Sequence, residues 1–363
     1  MPPQPCLNIT SKPTPDPHFT YAHGKFYLTF TANDRIPMWE APTLLDFWEN
    51  PKIGPVWRPP PNTPHSSRLW APELHALQGR WYIYYAAADP EKGNKSHRMF
   101  VLGGPPDSED PHDASKWEFL GPIKGMDQRQ WAIDGTVFEL DGELYLVYSG
   151  WPVPPEREWD DVREDQQLLY IVRLSDPTTA ASEAVEICRP DQPWEHLGHI
   201  GICEGPQWLE APDGSWRGLV YSCSASWTKH YKMATLKCLG GDPLSPESWK
   251  KSSKPLLQNA EHGEGPFGPG HGCFLNFGSE TVALFHATDK DTDGSQGRKC
   301  RLQIVEWCDE GPHLGEVVGN STRDHDKFSE GLMLSVPDGK GADTDGHPSC
   351  ILHALRGKTK SNT

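Results

Sequence analysis

Residues 131–151 read WAIDGTVFELDGELYLVYSGW and combine a turn signal with two strand-like runs. Asp141-Gly142 is a dipeptide that favours a tight β-hairpin. The runs on either side of it are rich in β-branched, aromatic and aliphatic residues, which is typical of strands. Asp134 lies in the first run beside Ile133, where a carboxylate must be solvated or paired. The stretch therefore predicts a hairpin that carries an acid, either in a plain turn or in the floor of a pocket.

The same form recurs along the chain, each time as a Gly-containing turn followed by a β-rich run that ends in small residues. The five copies are HGKFYLTFTA (23–32), QGRWYIYYAA (78–87), DGELYLVYSG (141–150), DGSWRGLVYSCS (213–224) and GSETVALFHA (278–287). Five units of roughly 60 residues predict an all-β fold, a five-bladed β-propeller with four-stranded blades around a channel. A β-sandwich is the alternative, but it does not explain the fivefold recurrence.

A polar residue precedes the hairpin glycine of each unit by 6 to 10 positions: Asp16, Glu73, Asp134, Glu204 and His271. Because the first strand of a propeller blade faces the channel, we expect these side chains to converge at one end of it. Taken singly, each has a structural explanation, since Asp-Pro and Asp-Gly are common turn pairs. Their recurrence favours a shared cavity. Glu73 is interpreted as tying down its strand and is left out of the catalytic set.

Three carboxyl groups in one cavity suit glycoside hydrolysis. One carboxylic acid with a raised pKa protonates the leaving oxygen, while an ionised carboxylate activates water or attacks the sugar. A third negative charge nearby can hold the acid in its protonated form. Asp16, Asp134 and Glu204 supply these groups, and His271 can bind a cation or orient a water molecule.

The composition limits the partners of the chain. Its 363 residues carry a formal net charge of −16, which disfavours nucleic acid and anionic membranes as partners. No run approaches the 18 apolar residues of a membrane-spanning helix. The 15 tryptophans can stack on sugar C–H faces, although most aromatic rings are expected in the core. The nine cysteines have no CxxC spacing, which argues against a zinc site, and their odd number leaves at least one unpaired.

Five motifs together resemble glycoside hydrolase family 43, in order from about residue 12 to 320: TPDPHFTYAHGKFYLTFT, LWAPELHALQGRWYIYYAA, AIDGTVFELDGELYLVYSGW, CEGPQWL and GPGHGCF. The resemblance implies a five-bladed propeller that hydrolyses α-L-arabinofuranosides or β-xylosides with inversion. It implies that Asp16 is the general base, Glu204 the general acid and Asp134 the residue that modulates the pKa of the acid. It also implies that no cofactor is required, and that calcium or another structural cation lies in the channel near His271.

The same resemblance implies the residues that bind the sugar. Trp70 in LWAPELH would form a wall of the sugar subsite, and Trp151 after YSG could also stack. The segment GRKCRLQIVEW (297–307) is similar to the family's late strand, which supplies an arginine to sugar hydroxyls. Arg298 and Arg301 are both candidates for this role. The position of Cys203 directly before the acid has no explanation at this level.

We expect one catalytic propeller domain over residues 1–334, and a polar segment over 335–363 that packs on it or trails from it. The expected function is a secreted, monomeric, exo-acting α-L-arabinofuranosidase that trims plant arabinan or arabinoxylan. No signal peptide is visible, and three sequons (Asn8, Asn94, Asn320) permit secretion. The alternatives are a β-xylosidase of the same family, a non-catalytic carbohydrate-binding propeller, and a retaining fructan hydrolase. The last would carry a different acid-bearing motif in the second unit, and WAPELH does not resemble that motif.

Overall fold

The structure, a computed structural model, describes residues 4–153, 165–260 and 265–322. Within these ranges the regular structure is β-strand, interrupted by short 3₁₀ turns at Leu45–Phe47, Gly93–Ser96, Ala114–Lys116, Pro193–Glu195, Pro246–Ser248 and Gly294–Gly297. None of the helical segments described is long and apolar enough to cross a membrane. The predicted C-terminal segment 335–363 lies outside the described residues.

The strands form five blades that follow one another along the chain. Strand β1 (Gln4–Asn8) comes first and joins the last blade. Blade I contains β2 (His18–Ala22), β3 (Lys25–Thr29), β4 (Ile36–Ala41) and β5 (Lys52–Trp57). Blade II contains β6 (Ser67–Leu77), β7 (Arg80–Ala88), β8 (Arg98–Pro106) and β9 (Glu118–Pro122). Blade III contains β10 (Ala132–Leu140), β11 (Glu143–Gly150), β12 (Leu168–Asp176), β13 (Thr179–Ala180) and β14 (Val185–Cys188).

The last two blades share one continuous sheet. Blade IV contains β15 (Cys203–Glu210), β16 (Arg217–Cys223), β17 (Lys232–Cys238), β18 (Trp249–Lys251) and β19 (Leu257–Asn259). Blade V contains β20 (Phe267–Phe277), β21 (Glu280–Thr288), β22 (Lys299–Cys308) and β23 (Gly311–His313). Strand β24 (Gly315–Thr322) lies between β19 and β1 and pairs in parallel with both. The predicted five-bladed β-propeller is thus confirmed.

Two-residue hairpins join the first two strands of blades I, II and III. The turn residues are His23-Gly24, Gln78-Gly79 and Asp141-Gly142, and all six have φ between 50° and 84°. Positive φ at both central positions defines the type I′ turn, whose twist matches that of the flanking strands. The glycines predicted as turn signals in these three blades, Gly24, Gly79 and Gly142, therefore lie in the turns. Blade IV differs, because residues 211–216 form a longer connection between β15 and β16.

The core lies between neighbouring blades, because alternate side chains of a strand point to opposite faces of its sheet. In β11, Leu146 packs towards blade II with Tyr84, while Val147 packs towards blade IV with Leu219. All four side chains are fully buried. A strand covered on both faces reads as a nearly continuous apolar run, which explains the sequence LYLVY.

The ring is closed by strands from both ends of the described chain. Strand β1 pairs with β22 in antiparallel register, Leu7 opposite Leu302 and Asn8 opposite Arg301. It thereby supplies the outer strand of blade V. This closing role of residues 4–8, and the link through β24, had no counterpart in the sequence expectations.

Candidate active site

The chain is kinked at one equivalent place in every blade, within the innermost strand of blades II to V and two residues before β2 in blade I. The residues at the kinks are Asp16, Ala71, Asp134, Gly205 and His271, with φ between 41° and 55°. In blades II to V the pairing register of the inner strand shifts at the same place. A bulge of this kind re-aims side chains, and positive φ at non-glycine residues is a strained conformation that is often found at functional sites.

Two of the five predicted equivalences are wrong. The kinks of blades II and IV fall at Ala71 and Gly205, and not at Glu73 and Glu204. Glu204 precedes its kink by one residue and still faces the cavity. Glu73 lies deeper in the channel, where its carboxylate contacts His75 Nε2 at 2.9 Å and accepts a hydrogen bond from Gln207 of blade IV. It therefore has structural contacts, and these include a link between two blades across the channel in addition to the contact within its own strand.

A cavity of about 600 Å³ opens above the kinks. Seven of the eight predicted site residues line it: Asp16, Trp70, Asp134, Trp151, Glu204, His271 and Arg298. The structure thus brings together residues from all five blades. Arg301 is the predicted residue that it does not bring to the cavity.

Asp16 is held as an ionised carboxylate. Its Oδ1 accepts a hydrogen bond from Arg298 Nη1 at 3.0 Å, and its Oδ2 accepts one from Thr31 Oγ1 at 2.6 Å. His271 Nδ1 lies 3.4 Å from Oδ1. Burial by itself would raise the pKa of Asp16, but Arg298, His271 and Thr31 outweigh it and hold the pKa well below its usual range.

The pKa values of Glu204 and Asp134 are raised, in contrast to that of Asp16. Burial raises the pKa of Glu204 to about 7, and the negative charge of Asp16 adds to the shift. Burial also raises the pKa of Asp134, to about 8, and the charges of Glu204 and Asp16 add to the shift, so the proton of the pair lies on either carboxyl. Because each carboxyl disfavours ionisation of the other, the two titrate as a pair that keeps a proton near neutral pH. The backbone N–H of Gly205 donates to Asp134 Oδ2 at 3.1 Å, which orients Asp134 beside the acid.

His271 lies between two carboxyl groups. Its Nδ1 is 3.4 Å from Asp16 Oδ1 and 3.9 Å from Asp134 Oδ2, and its backbone N–H donates to Ser222 Oγ at 2.7 Å. Among the described residues, the clusters of three side chains that could hold an ion directly are His18/Glu73/His75 and Cys188/Glu195/Cys203, and His271 belongs to neither. A cation beside His271 would therefore need water for most of its coordination, and it stays a prediction.

The structure separates the two candidate arginines. Arg298 lines the cavity and donates to Asp16, as described above. Arg301 is fully buried, and its guanidinium donates to Asn8 Oδ1 and to Asp289 Oδ1 at 2.7 Å. Arg301 therefore belongs to the interior of blade V and does not contact a ligand in the cavity. Asn8, one of the sequon asparagines, is buried there as well, so the folded chain cannot carry a glycan at that position.

The two predicted tryptophans are fixed by other rings. Trp70 stacks on His97 with ring centroids 3.9 Å apart, and its Nε1 donates to Asn33 Oδ1 at 3.0 Å. Trp151 lies parallel to Trp131 at 4.2 Å. One face of each indole is therefore covered by protein. Trp151 is only 3% exposed and packs in the core, so the predicted stacking of a sugar on its ring is not supported, whereas Trp70 is partly exposed and can still offer its other face.

The sequence analysis missed the residues that pin four of the five kinks to the preceding blade. Thr31 Oγ1 accepts from the N–H of Ala71 at 2.8 Å, and Ser149 Oγ donates to the Cys203 carbonyl at 2.9 Å. Ser222 holds His271 as described, and His286 Nδ1 accepts from the N–H of Asp16 at 3.0 Å. All four lie near the end of the second strand of a blade. Each repeated segment with such a residue ends in small residues that include a hydroxyl or imidazole side chain. This pattern in the sequence could have identified them.

Cys203 now has a structural explanation. Neighbouring residues of a strand point to opposite faces, so Glu204 faces the cavity while Cys203 faces blade III. There its Sγ lies 3.9 Å from Cys188 Sγ and 3.5 Å from Glu195 Oε1. Glu195 is fully buried and is bound by Lys251 Nζ at 2.9 Å. The eight cysteines in the described part of the chain are all free thiols.

The family model of the glycosyl hydrolases of family 43 matches residues 8–312. The chain belongs to this family. The match runs from the last residue of β1 into β23 and so spans the main strands of all five blades.

Individual relatives carry arabinofuranosidase names. The chain is 29% identical over 320 residues to an "Extracellular exo-alpha-(1->5)-L-arabinofuranosidase" of Streptomyces avermitilis, and 32% identical over 319 residues to an "Alpha-L-arabinofuranosidase 43" of Humicola insolens. Each match covers 84% of this chain, and the chain spans 62% of the length of each relative. The crystal structure of an α-L-arabinofuranosidase from Lactobacillus brevis superimposes with a TM-score of 0.73 at 28% identity, covering 85% of this chain and 96% of that one.

Proposed function

We propose that this family 43 chain is a glycosidase that releases terminal α-L-arabinofuranosyl residues from plant arabinan or arabinoxylan, with inversion at the anomeric carbon. One observation carries the proposal. Asp16 and Glu204 line the same cavity, but their surroundings shift their pKa values in opposite directions. An ionised and a protonated carboxyl group at one site are the base and the acid that hydrolysis of a glycoside requires.

The residues have distinct tasks in this mechanism. Glu204 donates its proton to the glycosidic oxygen as the bond to the leaving group breaks. Asp16 accepts a proton from a water molecule that attacks the anomeric carbon from the opposite face. Asp134 shares one proton with Glu204, and when Glu204 carries that proton, the charge on Asp134 disfavours its loss to solvent. The Arg298 guanidinium holds Asp16 in the ionised form and in position, and a substrate hydroxyl can share it.

The names of the relatives support the sugar specificity. All three relatives reported above are called arabinofuranosidases, and one is called extracellular, which also supports an extracellular site of action for this chain. A carbohydrate-binding module needs aromatic walls but has no use for carboxyl groups with opposed pKa shifts. The site chemistry therefore favours the enzyme over the non-catalytic alternative.

The first experiment compares two leaving groups. Glu204→Gln should reduce kcat/KM on α-1,5-linked arabinobiose by roughly 10²–10⁴-fold, because a sugar alkoxide needs a proton in order to leave. The loss on 4-nitrophenyl α-L-arabinofuranoside should be much smaller, because nitrophenolate leaves without a proton. Asp16→Asn should impair both substrates severely. Asp141→Asn is the matched control, since this aspartate lies in an exposed hairpin turn.

The outcomes separate the alternatives. If the wild-type protein prefers the β-D-xyloside, the sugar assignment changes to xylose and the acid–base roles stay. If it cleaves neither glycoside but binds arabinan, the protein is a non-catalytic carbohydrate-binding propeller and the proposed activity is wrong. The stereochemistry is tested by NMR of the first-formed arabinose, and retention of configuration would contradict the direct attack of water.

The remaining expectations are tested on the purified protein. We propose that the enzyme acts as a monomer, which light scattering coupled to gel filtration measures. We also propose a structural cation in the channel near His271. Elemental analysis before and after chelation, together with the unfolding temperature of both samples, tests for it, and unchanged values would remove the cation from the proposal.

A further inference from the structure

Exposed apolar side chains are concentrated beside the cavity. In the described part of the chain five large apolar residues are exposed: Ile53, Leu197, Ile200, Trp227 and Leu239. Leu197, Ile200 and Trp227 belong to two loops that lead into and out of the first strands of blade IV, and Ile200 and Trp227 line the cavity. Trp227 is 48% exposed. A large ring left in water at the rim of a cavity is typical of a binding surface.

The two loops are fastened to each other, so the ring is held in place. The N–H of Ala225 donates to the Leu197 carbonyl at 3.2 Å, and the N–H of Leu197 donates to Ser224 Oγ at 3.2 Å. The turn that contains Trp227 is closed by the N–H of Thr228, which donates to the Ala225 carbonyl at 3.0 Å. The indole also makes an edge contact with His199. A surface fixed in this way loses little conformational entropy when a ligand covers it.

The position relative to the two catalytic groups indicates which part of the substrate this surface meets. Glu204 and Trp227 both belong to blade IV, at the start of β15 and in the loop between β16 and β17. Asp16 comes from blade I. In an inverting reaction water enters on the side of the base, and the leaving group departs on the side of the acid. The leaving group therefore departs towards blade IV and its exposed ring.

We propose that Trp227, supported by Ile200, is the platform on which the sugar of the leaving group stacks. This rests on the proposed function and assigns the specificity for that leaving sugar to the blade IV loops. The apolar C–H face of a pentose can lie on the indole while its hydroxyls stay in water. The platform makes the enzyme favour a glycan chain end over glycosides whose leaving group has no ring.

The test uses two substrates that share the arabinofuranosyl group and differ in the leaving group. α-1,5-Linked arabinobiose has a sugar to stack, and α-L-arabinofuranosyl fluoride has none. For Trp227→Ala, the ratio of kcat/KM on the disaccharide to that on the fluoride should fall roughly ten-fold, mainly through KM. Trp227→Phe should recover most of the ratio. Leu239→Ala is the matched control, because Leu239 is an exposed apolar residue of blade IV that follows the far end of β17.

Each outcome either supports or overturns the Trp227 platform. A lower ratio in Trp227→Ala, with an unchanged ratio in Leu239→Ala, supports the platform. An unchanged ratio in Trp227→Ala overturns it, even if both rates fall together. If the wild type cleaves the fluoride but the ratio does not respond to Trp227, the platform fails and the proposed function stands. If the wild type cleaves neither substrate, the proposed function fails and the platform with it.

Discussion

At the scale of single residues, the site depends on buried carboxyl groups whose pKa values differ although they share one cavity. Burial favours the neutral form of every carboxyl in the cavity. Asp16 escapes this effect because Arg298 donates to it directly and Thr31 donates to its other oxygen. Arg298 acts on Glu204 only through its charge, and the pKa of Glu204 stays raised. The base and the acid are thus distinguished by where one guanidinium is placed.

Replacing Arg298 should move the acidic limb of the pH profile. Arg298→Met removes the cation beside Asp16, so the pKa of this carboxyl rises and less of it is ionised at a given acidic pH. The acidic limb of kcat/KM should shift to higher pH by roughly one unit or more, which a rate profile measures. Arg35→Met is the matched control, since Arg35 also lines the cavity but pairs with Asp34. Equal shifts in both variants would contradict the direct role of Arg298.

Replacing Asp134 should move the basic limb of the pH profile of kcat/KM. The last proton of the Asp134–Glu204 pair leaves at a raised pKa, because its loss places two negative charges together. In Asp134→Asn this repulsion is absent, so the pKa of Glu204 falls and the basic limb of kcat/KM shifts to lower pH. The acidic limb, which belongs to Asp16, should move much less. A basic limb that stays in place would show that burial and the charge of Asp16 set the pKa of Glu204 without Asp134.

At the scale of the strand, the kink explains both the success and the failure of the sequence prediction. The hairpin glycines and the apolar runs predicted the first strands of the blades, because turn and strand preferences are local. They also predicted Asp16, Asp134 and His271 at equivalent positions. They misplaced the equivalent position in blades II and IV, where the kinks fall at Ala71 and Gly205, because a bulge residue without a polar side chain leaves no polar signal in the sequence. Glu204, one residue before its kink, still lines the cavity as predicted.

Gly205 tests the importance of the kink. It has a φ of 54°, and an added Cβ would lie 3.1 Å from His271 Nδ1. Gly205→Ala therefore strains the backbone by about 1–2 kcal/mol and also pushes on His271, next to the general acid. Gly24→Ala carries a similar strain at a φ of 73°, with no atom within 4 Å of the added Cβ. Both variants should lower the free energy of unfolding, measured in denaturant, but only Gly205→Ala should also lower kcat strongly. Equal activities would mean that the kink tolerates displacement.

At the scale of the whole molecule, the site depends on a closed ring, because the base and the acid come from different blades. Four hydrogen bonds tie one blade to the inner strand of the next beside the kinks of blades I, II, IV and V, and they come from His286, Thr31, Ser149 and Ser222. The period of the repeat could predict five blades. It could not predict the closure, since β1 is a five-residue strand whose partner in β22 lies almost 300 positions away along the chain.

Because β1 closes the ring, we expect its buried residue to contribute as much to the free energy of unfolding as a buried residue of a central blade. Leu7 is 1% exposed and packs with Leu28, Leu284 and Leu302 between blades I and V. Leu7→Ala should lower the free energy of unfolding by about 2–5 kcal/mol, the usual loss for a buried leucine. Leu146→Ala in blade III is the matched reference, because that side chain is fully buried too. Denaturant unfolding followed by tryptophan fluorescence measures both. A loss below about 1 kcal/mol for Leu7, with the full loss for Leu146, would mean that the ring stays closed without β1.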